Sequence, residues 1–223
     1  MMVKFAMNNS RTSAIRLIAQ LFCLLGLMFP LVSQAATNNV QDSAPLSLEI
    51  ITLLGDKTKD LPEFELTDHN LKPFGKSRLK DKWNLMFFGY TNCPDVCPNT
   101  LSTMDNILGS ISDPAIRKAV KVYFVSVDPQ RDSPEKLGAY MNYFNPDFIA
   151  ATGDMDKIKV LTSSLGIAHK ITKKKDSDSA YSVSHSGFVV LINPDAQFSG
   201  LFFSETDNIE GIASDLTKLI SKK

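Results

Sequence analysis

Two cysteines four residues apart, Cys93 and Cys97, stand between an apolar run and an amphipathic segment in WNLMFFGYTNCPDVCPNT, residues 83–100. A pair of sulfurs at that spacing can close a disulfide or grip one soft metal ion, and the third residue between them gives a wider bite than the two-residue spacing of redox motifs. The run Leu85–Phe88 reads as a buried strand, Gly89 as its exit and Pro98 as a first helical position, so the thiols fall at a loop-to-helix junction. Unpaired N–H groups at a helix N-terminus favour negative charge, and this position is expected to lower both thiol pKa values. Proline at 98 disfavours α conformation at Cys97, which places the pair on the loop and first turn. The chemistry open to the pair is redox, copper, or both.

A metal would need a further ligand. Two thiolates and one imidazole suit copper in both oxidation states, whereas a closed structural zinc site wants a fourth protein ligand. The three histidines are His69, His169 and His185. His69 falls in a turn and His169 in a polar, lysine-rich stretch, and each reads as surface decoration. His185 directly precedes an apolar strand and is the candidate ligand, balanced against a surface role.

The N-terminus bounds the compartment. Lys4, Arg11 and Arg16 precede the apolar run Leu17–Val32, and small residues follow at Ser33, Ala35 and Ala36. That is the order of a cleaved secretory signal over residues 1–35. At 16 residues the run falls short of the ~20 that span a bilayer comfortably, which leaves membrane anchorage through residues 17–32 as the alternative. A mitochondrial presequence fits less well. Export would remove Cys23 and leave two thiols; a structural disulfide between them would close a tiny loop and stabilise little. With 24 basic and 24 acidic residues the chain is neutral, and loss of residues 1–35 leaves a net charge of −3. Nothing in that balance points to nucleic acid.

The elements that must position the thiols follow in order. Residues 36–58 read as a flexible linker and 59–223 as the folded domain. LPEFELTD, residues 61–68, alternates as a half-buried strand, and another short strand is expected near Lys76–Leu79. After the cysteines come a helix ending at Gly109, a buried strand Val120–Asp128, a helix opened by Ser133-Pro134-Glu135 and a short strand Phe148–Thr152. Asp154 is expected to cap the next helix. Residues 167–185, with lysines at 173–175, read as a mobile loop. Strands Gly187–Ile192 and Phe198–Phe203 and a last helix complete the chain. The order predicts an α/β fold, thioredoxin-like, with a mixed central sheet flanked by helices and an N-terminal strand or hairpin extension.

FFGYTNCPDVCPNTL, VSVDPQRDSPEKL and VSHSGFVVLINPDAQFSGLF closely resemble the Sco/SenC family of copper proteins, a likeness running over roughly residues 60–222. The resemblance implies a thioredoxin fold with copper held by Cys93, Cys97 and His185. The family often carries Asp before that histidine, where Ser184 stands here, a change that bears on ligand orientation more than on ligation. Asp128 matches an acidic position near the site, with a turn cap as the plain alternative, and Asp95 fits shaping of the loop or support of the ligands equally well. The resemblance implies a metallochaperone outside the cytoplasm, periplasmic or anchored at the inner membrane. It would take copper from a donor chaperone and help assemble the binuclear CuA centre in subunit II of cytochrome c oxidase. The alternatives are a thiol–disulfide reductase keeping the oxidase's copper-site cysteines reduced, with Cys93 and Cys97 as the redox pair, and, less favoured, a thiol peroxidase.

Overall fold

The apolar strand that precedes the cysteines lies in the middle of the sheet, and its neighbours explain its composition. The computed structural model describes the backbone of residues 47–167, 169–173, 181–185 and 187–222, and the side chains of 47–167 and 187–222. In chain order the strands are β1 (Thr52–Leu53), β2 (Lys59–Asp60), β3 (Leu66–Asp68), β4 (Pro73–Phe74), β5 (Trp83–Gly89), β6 (Val120–Ser126), β7 (Ile149–Thr152), β8 (His169–Lys173), β9 (Tyr181–His185), β10 (Phe188–Ile192) and β11 (Gln197–Phe203). The helices are α1 (Val96–Ser110), α2 (Pro114–Ala119), α3 (Pro134–Phe144), α4 (Met155–Ser164) and α5 (Ile209–Ser221).

Among the described residues one mixed sheet runs in the order β1-β11-β10-β5-β6-β7-β3-β4, with β2 also pairing to β11. β5, β6 and β7 are parallel; the remaining pairs are antiparallel. A strand covered on both faces must be apolar throughout rather than alternating, and Leu85 to Phe88 are all buried, as are Val122 to Val125 and Val189 to Ile192. β5 and β6 run in register from Trp83↔Val120 to Gly89↔Ser126, and the N–H of Val127 extends the ladder to the Gly89 carbonyl (2.9 Å). Both strands therefore deliver their loops to the same edge of the sheet, where open α/β folds place their sites.

The mixed sheet flanked by helices is the α/β fold expected, and several local expectations are corrected. Of residues 61–68 only Leu66–Asp68 is strand; Pro62 has no N–H for a ladder, although Leu61 and Phe64 are still buried. Residues Lys76–Leu79 form a 3₁₀ turn, and the strand lies earlier, at Pro73–Phe74 against β3. Helix α2 was not anticipated, despite Asp113 accepting from the Ala115 N–H (2.8 Å) with Pro114 beside it. Asp154 occupies the cap position of α4 without a capping bond from its side chain, while Ser133 does cap α3 through the Lys136 N–H (3.3 Å). The expected loop contains an antiparallel hairpin, β8 paired with β9.

The linker expected to reach residue 58 ends sooner. β1 pairs with β11, Ile51 is buried, and the N–H groups of Glu49, Ile50 and Ile51 all donate to the Asp215 carboxylate of α5 (2.8–3.0 Å). The expected signal over 1–35, its alternative anchor at 17–32, Cys23, residues 36–46 and Lys174–Lys175 lie outside the described residues. Among the described residues, no helix is long and apolar enough to cross a membrane.

Candidate metal centre

The cysteine loop is a tight return from β5 into α1. The N–H of Cys93 donates to the Tyr90 carbonyl (3.2 Å), closing a turn, and α1 begins three residues later at Val96. Cys97 is thus the second residue of the helix, and Pro98 the third. The helix starts two residues before the position expected from Pro98, and Cys97 is helical despite the proline after it. Pro98 costs no backbone bond there, because the N–H it lacks belongs to the first turn, which has no intrahelical acceptor.

The helix start brings the sulfurs together. The Cys97 N–H points at Cys93 Sγ (3.5 Å). Cys93 is half-buried and Cys97 fully buried. Room for the inner sulfur exists only because residue 89 has no side chain: a Cβ there would sit 2.6 Å from Cys97 Sγ and 2.8 Å from the Phe124 ring. The Phe124 ring packs in turn, tilted by 57°, against Tyr140 of α3, with ring centroids 5.9 Å apart.

Electrostatics overturn the sequence expectation at Cys97. Burial pushes the Cys97 thiol far above its ordinary pKa; the backbone N–H of Tyr90 pulls it down, and Cys93 and Asp132 push it further up. A helix N-terminus contributes roughly 0.3–1 kcal/mol to a charge near it, and desolvation of a fully enclosed thiolate exceeds that. Tyr140 is shifted the same way, by burial first and then by Cys97, Cys93 and Asp132, so it stays a protonated donor. Its buried hydroxyl makes no hydrogen bond among the described residues.

The acidic candidates separate. Asp128 is fully buried and takes the Arg131 guanidinium through Nε, and that guanidinium lies over the Tyr90 ring (5.6 Å to its centroid). Through Arg131 the Asp128 carboxylate is linked to the ring of Tyr90, the residue that follows β5. Asp95 is exposed at the cap position of α1, where its carboxylate accepts from Asn99 Nδ2 (2.7 Å) instead of a backbone N–H. The residue that sequence reasoning missed is Asp132, the second acid of VDPQRD. Its buried carboxylate accepts from the Thr91 N–H (3.0 Å) and hydroxyl, from Ser126 Oγ (2.6 Å), and pairs with Lys136 Nζ (3.5 Å). It fastens the cysteine loop to the end of β6 and to α3.

His185 closes β9, and β10 starts three residues later. β10 pairs antiparallel with β5, Val190↔Met86 and Leu191↔Leu85, which sets the start of β10 beside the end of β5 where the chain leaves for Cys93. The backbone therefore carries His185 to the edge of the sheet that holds the cysteines. Its side chain, and that of Ser184, lie outside the described residues. His169 is no loop residue: it pairs directly with His185 across the hairpin. His69 is no mere surface group either, since its Nδ1 accepts from the Ala150 N–H (3.0 Å) at the β3–β7 junction and burial lowers its pKa. Among the described residues no three His, Cys, Asp or Glu side chains cluster closely enough to hold a metal ion.

The model of the SCO1/SenC family matches residues 55–221. A putative copper-binding protein of Stutzerimonas stutzeri is 38% identical over 149 residues, 66% of this chain and 71% of its own length. The structure of Bradyrhizobium japonicum ScoI with copper bound superposes with a TM-score of 0.64 at 33% identity, covering 71% of this chain and 98% of that one. BsSco, described as a member of the Sco family of cytochrome c oxidase assembly proteins, is 20% identical and shares the fold, with a TM-score of 0.58 over 78% of this chain and 99% of its own.

Proposed function

Since the chain belongs to the SCO1/SenC family, we propose that it is a copper protein whose cargo is held by the sulfurs of Cys93 and Cys97, with His185 as the third ligand. Its task is that of an extracytoplasmic metallochaperone: to take copper from a donor chaperone and assist assembly of the CuA centre in subunit II of cytochrome c oxidase. The observation that carries this reading is the dithiol itself, one sulfur sealed in the protein and the other half-buried beside it, with the Cys97 N–H directed at Cys93 Sγ at the start of α1.

An enclosed thiol with a raised pKa makes a poor free nucleophile, because the bare thiolate is costly to hold there. A cation on the same sulfur removes that cost, since a coordinating thiol is deprotonated outright by the charge it binds. Two soft sulfurs select Cu(I), and an imidazole adds the harder donor that Cu(II) prefers. Gly89 supplies the space for the inner sulfur, Asp132 and Arg131 hold the loop, and the hydroxyl of Tyr140 is a buried donor on this side of the core.

Titration of the reduced protein with Cu(I) and with Cu(II) tests the assignment. One copper per chain is expected, with a sulfur-to-copper charge-transfer band for Cu(II) that is lost in Cys93→Ser and Cys97→Ser and shifted in His185→Ala. An unchanged band in His185→Ala removes that ligand, and binding weaker than micromolar in the wild type ends the reading.

A half-buried thiol beside an enclosed one also suits a thiol–disulfide reductase. In that reaction Cys93, the more accessible sulfur, attacks a partner disulfide as thiolate and expels one partner thiol. Cys97, losing its proton, then displaces the second, leaving the Cys93–Cys97 disulfide and passing two electrons to the partner. A Cys93–Cys97 reduction potential too oxidising to reduce the partner disulfide dismisses it.

A further inference from the structure

Two buried hydroxyls join the halves of the candidate site, and neither was singled out by the sequence. Thr100 stands one turn after Cys97 in α1, and its Oγ1 donates to Ser204 Oγ (2.8 Å) just beyond the end of β11. Ser204 has a single hydroxyl hydrogen, which goes to the carbonyl of Gly187 (3.0 Å); the N–H of Ser204 donates to that same carbonyl (3.2 Å). Thr100 and Ser204 are both buried, at 1% and 4% exposure. The proton order is fixed by this arithmetic of donors: Gly187 can only accept, so Ser204 must give to it and Thr100 must give to Ser204.

The placement matters because of what lies at either end. Thr100 shares a face of α1 with Cys97 at i, i+3. Gly187 follows His185 by two residues and opens the path into β10. A threonine inside a helix ordinarily turns its hydroxyl back to the carbonyl four residues earlier; this one reaches out of its helix instead. α1 packs chiefly through apolar contacts, which carry little direction, whereas a chain of three hydrogen bonds fixes distance and angle together.

We propose that Thr100 and Ser204 are positioning residues that set the His185-bearing strand entry against the cysteine helix, and so govern how well an imidazole completes the coordination begun by the two sulfurs. This rests on the copper reading above. The consequence is selective for oxidation state. Cu(I) is satisfied by the sulfurs, whose own geometry the relay does not touch, while Cu(II) depends on nitrogen from the far end of the relay.

The test uses Thr100→Val, which keeps the shape and deletes the hydroxyl, Ser204→Ala, and Thr100→Ser, which restores a hydroxyl in place of the threonine. Cu(II) affinity is expected to fall about tenfold or more in Thr100→Val and Ser204→Ala, as when a group orienting a ligand is removed. The nitrogen hyperfine pattern in the Cu(II) EPR spectrum should change with it, Cu(I) affinity should hold, and Thr100→Ser should return both values toward the wild type. Wild-type Cu(II) affinity and spectrum in Thr100→Val and Ser204→Ala overturn the proposal, as does an equal loss of Cu(I) and Cu(II) binding. Hydrogen exchange in the metal-free protein separates this idea from the functional reading. The Ser204 amide should exchange faster in Thr100→Val than in the wild type, and unchanged exchange there overturns the relay whatever copper does. A wild type that binds no copper, with the exchange difference intact, instead overturns the functional reading.

Discussion

At Gly89 the absence of a side chain is what allows a sulfur to be enclosed. A Cβ would meet Cys97 Sγ and two phenylalanine rings at once, with the Phe87 ring at 3.2 Å, and none of the three has space to retreat from a packed core. Gly89→Ala is expected to cost about 1–3 kcal/mol by overpacking, read as a lower urea midpoint. It should also push Cys97 outward, so that copper affinity drops while Cys93 remains accessible to thiol reagents. An alanine variant with wild-type stability and copper affinity would show that the sulfur has more freedom than this packing allows. The same crowding explains why Cys97 does not behave as a helix-terminal thiol. Partial charge at a helix end acts through solvent-screened distance, whereas enclosure by Gly89, Phe87 and Phe124 removes the water that would stabilise the thiolate.

The first described segment is tied to the last helix through Asp215. Burial works against its charge, but the N–H groups of Ile50, Ile51 and Glu49 and the Lys218 ammonium outweigh it and hold the carboxyl below its ordinary 3.8. A carboxyl lowered by folding stabilises above its unfolded value and ceases to do so as pH falls through the folded one. Asp215→Asn keeps the size and loses the charge. It is expected to be less stable than wild type at neutral pH, with faster amide exchange at residues 49–51, and to converge on the wild type in acid below 3.8. A constant gap at all pH values would count against the carboxylate as the cause.

This clasp was illegible in the sequence, since the small polar residues before it read as linker and nothing local marks Asp215, 166 residues from Glu49, as its partner. What periodicity could reveal was revealed: β5, β6, β10, β11 and helices α1, α3, α4 and α5 stand where apolar runs and turn residues put them, while the short α2 does not. The hairpin was in fact written in Tyr181, Val183 and His185 alternating with serines, but lysines on the partner strand masked it. Within the site, the strand-loop-helix setting of both cysteines was legible from the apolar run before them and the proline after them. Asp132, Thr100 and Ser204 were not, because their roles are contacts across 41, 104 and 17 residues of chain, and a lone polar residue carries no signal of its partner.

For the molecule as a whole, acid should act in two stages. His69 donates nothing through Nδ1; it accepts the Ala150 N–H, so a protonated ring must surrender that bond. Burial, which outweighs the attraction of Asp68, holds its pKa below 6.5. The unfolded chain therefore takes up this proton first, and stability declines as pH falls from 6.5 through the folded value. Asp68 follows: burial opposes its charge, yet the Lys72 N–H, Arg78 and the Asn70 N–H hold it below 3.8, adding to the loss at Asp215. Urea midpoints measured from pH 8 to 3 should fall in a shallow step and then a steep one, and His69→Leu should remove the first. A midpoint that stays flat down to pH 4 in the wild type would rule His69 out as a contributor.

The order of strands in the sheet also has a temporal meaning. β5 is flanked on one side by β6 and on the other by β10, which the ribosome makes about a hundred residues later, with β11 and α5 later still. A nascent chain emerging from its amino end has no wall on that side of the cysteine strand until synthesis reaches the final fifth of the sequence. Through that interval the strand that leads to the cysteines is an open sheet edge, and the dithiol loop leaves from a sheet that is still incomplete.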